Sequence, residues 1–135
     1  MSVTVFTSGC FDVLHSGHVK FLRACRSLGT RLIVGMNSDD SVRRLKGQSR
    51  PICNQVERWA VLESIRWVDE VFLFDESTPC ELIRRLTPAI CCKGPGYSIE
   101  NMPEAAIVKE YGGQVVILDG PDISTSKIIE RIRSL

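Results

Sequence analysis

The sequence has no apolar run of the roughly 20 residues needed to cross a bilayer, no C-x-x-C pair, no internal repeat and no low-complexity stretch. Each absence removes a class of protein: a membrane span, a thioredoxin-like or zinc-ribbon site, a solenoid, a disordered linker. Charge of one sign is also missing. Seventeen basic residues face sixteen acidic ones for a net charge of +1, so no global field draws in nucleic acid or an anionic membrane, and any anion site has to be local. The opening "MSVTVFTSG" lacks the basic flank and long apolar run of a secretion signal. Six cysteines (Cys10, Cys25, Cys53, Cys80, Cys91, Cys92) fall mostly in apolar surroundings, where they read as small hydrophobes rather than a disulfide framework. A reduced, cytoplasmic protein is expected. Histidine is scarce too: there are two, and both lie in "GCFDVLHSGHVKFL", residues 9–22.

What is present is ample for one domain. A chain of 135 residues, 44% hydrophobic and 24% charged, can bury a core. Short, nearly continuous apolar runs at 3–7, 31–36, 70–74, 89–92 and 114–118 predict five strands buried on both faces. Helical stripes separate them. "NQVE" from Asn54, "TPCE" with Thr78 as cap and Pro79 at the first helical position, and "NMPE" from Asn101 supply N-cap signals. Gly112 and Gly113 close the helix begun near Met102. Strand and helix alternate throughout, predicting an α/β fold: a Rossmann-like, doubly wound, parallel five-stranded sheet forming a single domain over 1–135. Ligands of such sheets bind beyond the carboxyl ends of the strands.

Chemistry-bearing residues follow the strands accordingly. After the first, Gly9 permits a tight turn and Gly17 lets a ligand approach a helix start, whose free amides and positive dipole suit phosphate. His15 and His18 project from one side of that turn and can donate to phosphoryl oxygens as charge builds. A metal reading of the pair lacks a third ligand at standard spacing. Asp12 is a nearby carboxylate. After the second strand, "NSDDSVRRLKGQSRPI" carries Arg43 and Arg44, read as a solvated face, and Lys46 and Arg50, placed in a loop free to fold over phosphate. Arg58 sits one turn into a helix, where a cation opposes the macrodipole and has little passive reason to be. "CCKGPGYS" sets Lys93 and Gly94 after the fourth strand, suiting close backbone approach to a nucleotide. "DISTSKIIERI" opens the last helix with Ser124, Thr125 and Ser126, more hydroxyls than one cap needs, and able to hold terminal phosphates.

"GCFDVLHSGH" resembles the H-x-G-H signature of the cytidylyltransferase-like nucleotidyltransferases. "GMNSDDSVRRLKGQSRPI", "ERWAVLESIRWVDEV" and "ISTSKIIERI" are similar, in order and spacing, to blocks of its heptose-1-phosphate adenylyltransferase and glycerol-3-phosphate cytidylyltransferase groups. The likeness covers essentially the whole chain. It implies that His15, His18 and Lys46 act in catalysis, and that Gly9, Cys10, Phe11, Gly17, Lys93, Gly94, Ile123, Ser124, Thr125 and Ser126 hold the nucleotide. Asp12, Arg50 and Arg58 would contact substrate phosphate. It also implies Mg²⁺ carried on the NTP phosphates, with no certain protein ligand, and a homodimer through "ESIRWVDEV", where Arg66, Trp67 and Val68 lie. The chain departs from the pattern at Gly96, where the families show an acidic residue.

The expected activity is transfer of a nucleotidyl group from an NTP to a phosphorylated small molecule, releasing pyrophosphate. ATP and a heptose-like sugar phosphate are favoured. "FDESTP" and "CCKGPGYS" look heptose-type, and Asp119 stands where glycerol-type enzymes carry an arginine. The alternatives are a CTP-dependent glycerol-3-phosphate cytidylyltransferase, another acceptor such as phosphopantetheine or a nicotinate ribotide, and a non-catalytic nucleotide-binding regulatory module.

Overall fold

The computed structural model describes residues 1–120 and 124–135. In chain order the elements are β1 (Thr4–Gly9), α1 (Ser16–Ser27), β2 (Arg31–Asn37), α2 (Asp39–Lys46), α3 (Gln55–Glu63), β3 (Glu70–Phe74) and α4 (Cys80–Leu86). β4 (Ile90–Lys93), a 3₁₀ turn (Ile99–Asn101), α5 (Pro103–Glu110), β5 (Gln114–Ile117) and α6 (Thr125–Arg133) complete the chain.

The strands are apolar at successive positions because both faces of the sheet are covered. Val5 of β1, Leu32 and Val34 of β2 and Cys92 of β4 pack on one face with Leu22 and Cys25 of α1 and Leu62 of α3. Phe6, Ile33 and Cys91, their neighbours in sequence, turn to the other face and meet Leu82 and Ile83 of α4 and Ile107 and Val108 of α5. Burying one such side chain contributes about 1.5–3 kcal/mol, so neither face can be given up. The strands run parallel in the order β3-β2-β1-β4-β5. Chain order reverses between β1 and β4, which opens a crevice at their carboxyl ends. All six cysteines are free thiols, with Cys25 and Cys92 in sulfur contact at 3.3 Å in the core.

Two expected caps are corrected. Asn54 does cap α3, its side chain accepting from the Glu57 amide at 2.9 Å. Thr78 does not cap α4; that helix starts at Cys80 behind Pro79, without a side-chain cap bond. Asn101 closes the 3₁₀ turn instead, its Oδ1 accepting from the Ser98 amide at 3.0 Å, and α5 begins uncapped with Pro103. In both places proline sets the entry to the helix and releases the polar residue before it. Gly112, at φ +88°, ends α5 as expected, and the Gly113 amide returns to the Val108 carbonyl at 2.8 Å.

Candidate active site at the β1–β4 crevice

The loop leaving β1 is held in an unusual shape. Phe11 (φ 51°) and Val13 (φ 49°) both occupy the left-handed region, which is rare for a β-branched residue and costs on the order of 1–3 kcal/mol at each position. Asp12, between them, supplies the restraint. Its buried carboxylate accepts from the Ile52 amide at 2.7 Å and the Cys53 amide at 2.9 Å, and its carbonyl accepts from the Thr125 hydroxyl at 2.7 Å. Arg58 adds a second tie. It is 1% exposed and donates to the carbonyls of Cys53 (3.0 Å), Cys10 (2.7 Å) and Asn37 (2.8 Å) and to the Asp39 carboxylate (2.8 Å). Asp12, expected with Arg58 to contact substrate phosphate, borders the larger of two cavities at this crevice. Both side chains are committed to protein partners and fasten the loops after β1 and α2 together.

This scaffold delivers the two histidines in a defined chemical state. His15 is the N-cap of α1 and its Nδ1 accepts from the Gly17 amide at 3.0 Å; His18, three residues on, accepts from the His15 amide through its own Nδ1 at 3.2 Å. The pair forms a capping box built from imidazoles instead of the usual hydroxyl and carboxylate. With each Nδ1 lone pair occupied, a neutral ring must carry its proton on Nε2 and present it as a donor. Neutrality is enforced by position. Burial, and then the neighbouring His15, push His18 down to about 4 against a weaker opposing pull from Asp12, and burial lowers His15 as well. The rings lie 4.0 Å apart, and His18 stands 5.7 Å from the Phe11 ring.

Two cavities open at the crevice and share a wall. The larger, about 520 Å³, takes in Asn37, Lys46, Arg50, Ser77, Thr78 and Glu104. The second, about 430 Å³, takes in His15, Gly17, Phe21, Gly94 and Gly120. His18, Gly9, Cys10, Phe11, Lys93, Ser124 and Thr125 border both. Most sequence-predicted site residues are thus brought together. Ser126 borders the larger cavity alone, and Ile123 lies outside the described residues. Lys46 needs a correction of setting: it is the exposed last residue of α2, not part of the loop, which starts at Gly47. There it benefits from the helix C-terminal dipole while reaching over the cavity. Arg43 pairs with Asp40, and Arg44 donates to the Asp75 carbonyl, as a solvated face should.

Lys93 is nearly buried. Its Nζ donates to the Ser8 hydroxyl at 3.1 Å and lies 4.8 Å from the Tyr97 ring centroid. Ser8, Tyr97 and Glu104 escaped the sequence reading, because only the tertiary fold brings "GYS" and "NMPE" over the end of β1. Ser124 caps α6 by accepting from the Lys127 amide at 3.2 Å, and the Thr125 hydroxyl is held by Asp12. What the α6 start can offer a ligand is then the Ser124 and Ser126 hydroxyl hydrogens and first-turn amides. Burial raises the Cys10 thiol despite the nearby Lys46 and Arg58, so it is a protonated wall residue and not a thiolate nucleophile. Among the described residues no three His, Cys, Asp or Glu side chains form a metal-holding group.

Residues 6–131 match the sequence model of the family described as cytidylyltransferase-like. The chain is 50% identical over 129 residues to the bifunctional protein HldE of Syntrophotalea carbinolica, covering 95% of this chain and 26% of that protein. It is also 50% identical over 131 residues to HldE of Citrifermentans bemidjiense, covering 96% and 27% respectively. The chain thus spans about a quarter of the length of these relatives. Among solved structures, a lipopolysaccharide core biosynthesis protein from Thermoplasma volcanium superposes with a TM-score of 0.72 at 26% identity, covering 92% of this chain and all of that one. A pantoate-beta-alanine ligase from Francisella tularensis, at 12% identity and a TM-score of 0.55 over 99% of this chain and 71% of its own, shares the fold alone.

Proposed function

Because the chain belongs to the cytidylyltransferase-like family, we propose that it is a nucleotidyltransferase that joins the nucleotidyl group of an NTP to a phosphorylated acceptor and releases pyrophosphate. An acceptor phosphate oxygen forms a bond to the α-phosphorus as the bond from that phosphorus to the β-phosphate oxygen breaks. The electron pair leaves with pyrophosphate, so no covalent enzyme intermediate is needed. Positioning and charge stabilisation carry such a transfer. The observation that supports it most is the neutral histidine pair, whose Nδ1 atoms are tied to backbone amides and whose Nε2–H groups are left as donors for the developing charge. The glycine-lined second cavity suits the nucleotide, the cation-bordered larger one the acceptor, and the wall they share the reacting phosphorus.

Magnesium fits this reading as an ion carried by the triphosphate. The Asp12 carboxylate is already engaged by two amides, and Mg²⁺ characteristically binds substrate phosphates with few protein ligands. Bound there, it would neutralise charge on the departing pyrophosphate.

The acceptor in this proposal is a heptose-like sugar phosphate and the favoured donor ATP. The "FDESTP" and "CCKGPGYS" segments, Asp119, and the likeness to HldE and to a lipopolysaccharide core biosynthesis protein support it. A pyrophosphate-release screen of four NTPs against heptose 1-phosphate, other sugar 1-phosphates and glycerol 3-phosphate tests it. CTP-dependent turnover of glycerol 3-phosphate alone would overturn the substrate choice, and NTP binding without any release would overturn the reaction.

A cytoplasmic setting and a homodimer belong to the same proposal. Among the described residues no helix is long and apolar enough to cross a membrane. Trp67 is flanked by the Arg23 and Arg66 guanidinium groups at 5.2 and 5.0 Å. Val56 and Leu73 remain exposed beside Trp59, where β3 forms the sheet edge. A monomer by light scattering at micromolar concentration would overturn the dimer.

A further inference from the structure

Glu104 is the second residue of α5 and is 3% exposed. Its carboxylate makes no hydrogen bond and no ion pair with any described residue, yet it borders the larger cavity and not the second one. No fully buried side-chain oxygen or nitrogen among the described residues lacks a partner, so the unbonded oxygens of Glu104 keep their contact with solvent through the cavity it borders. A position in the first turn of a helix favours its negative charge but gives it no donor in contact. Lys46, Arg50 and Lys93 border the same cavity, and none of them is within ion-pair distance of it. The cavity thus holds two separate kinds of recognition: cations that attract a phosphate, and an unengaged anion that repels one. A carboxylate in that setting selects groups that offer hydroxyl hydrogens. Asn101, Ser77 and Thr78 border the same space and add further polar groups.

We propose that Glu104 determines acceptor specificity by accepting hydrogen bonds from hydroxyl groups of a polyhydroxylated, phosphorylated acceptor, whose phosphate lies toward Lys46 and Arg50. The inference rests on the nucleotidyltransferase reading, and it adds that the acceptor is recognised by hydroxyls at the end opposite its phosphate.

The test compares wild type with Glu104→Gln and Glu104→Asp, using heptose 1-phosphate and its monodeoxy analogues in the pyrophosphate assay. Hydrogen bonds to charged groups are among the stronger ones, so Glu104→Gln should raise the KM for heptose 1-phosphate by about ten- to a hundredfold. The KM for ATP and the Mg²⁺ requirement should stay within about twofold. On one deoxy analogue, wild type should fall to the level of the variant. The ligand-free thermal midpoint of Glu104→Gln should stay close to that of wild type, since the carboxylate faces the cavity and has no hydrogen bond to a described residue to lose. An unchanged acceptor KM overturns the proposal. So does a rise in ATP KM or Mg²⁺ requirement in step with it, which would make Glu104 a nucleotide or metal ligand. If Glu104→Gln does not fold, Glu104→Asp carries the same comparison, and a midpoint well below wild type in both variants assigns a structural role. If wild type itself releases no pyrophosphate, the transferase reading fails separately. Equilibrium dialysis with heptose 1-phosphate then decides: weaker binding to Glu104→Gln upholds the assignment and equal binding overturns it.

Discussion

Replacing His18 perturbs two things at once, and the structure allows them to be separated. In His18→Ala the His15 amide loses its acceptor at 3.2 Å and the crevice loses a donor at the wall between the two cavities. Loss of a capping interaction costs about 1 kcal/mol, which in a domain of this size lowers the thermal midpoint by roughly 3–5 °C. Loss of a donor aimed at transition-state charge costs about a hundred- to a thousandfold in turnover. His18→Gln separates the two effects. Glutamine at this third helical position is a natural capping-box residue, and its amide oxygen can accept from the His15 amide. Its nitrogen then stays on the same carbon as the capping oxygen, whereas Nε2 of histidine stands on the far side of the ring. The expected result is a midpoint restored to within a degree or two of wild type while turnover stays near the alanine level. Differential scanning calorimetry and single-turnover pyrophosphate release measure the two. If His18→Gln regains activity along with stability, His18 is a helix cap with no part in the chemistry, and the reasoning fails.

Lys46→Ala should weaken turnover strongly and leave the ligand-free midpoint nearly unchanged, because Lys46 is exposed at the end of α2; a large loss of stability in a melting curve would make it structural. Arg58→Ala should do the reverse. It strips three carbonyls and the Asp39 carboxylate of their donor, a loss of about 3–5 kcal/mol readable in urea unfolding, and Arg58→Lys cannot restore four bonds of fixed geometry. Acid should also destabilise the protein. As pH falls below the ordinary histidine value of 6.5, the unfolded chain takes up a proton that folded His18 refuses until about 4. The unfolded state then binds more protons, so the stability that His18 contributes is lost between about pH 6.5 and about 4. A urea midpoint independent of pH across that window would contradict the capping geometry.

The sheet was readable because burial on both faces leaves a plain mark: five nearly continuous apolar runs, each within two residues of its strand at either end. The placement of the histidines at the crevice was readable because they follow the first strand, about a glycine, where a helix begins. The structural ties of Asp12 and Arg58 were not legible in the sequence, for one physical reason. A buried charge looks, in sequence, the same as a ligand-binding one, and only the amides of Ile52 and Cys53 and the carbonyl of Cys10, brought in from across the fold, distinguish them. Glu104 was hidden in the same way. In "NMPE" it reads as a capping-box acid, whereas Pro103 at the helix start removes that duty and the fold turns the carboxylate to the cavity.

As the proposed donors, the two imidazoles are themselves the clasp of the turn that carries them. Fraying of that single turn disarms both histidines together, and the first turn of a helix opens at far lower free energy than the whole domain. Heat should therefore silence the protein several degrees before it melts, reversibly, while far-UV circular dichroism still reports a folded sheet.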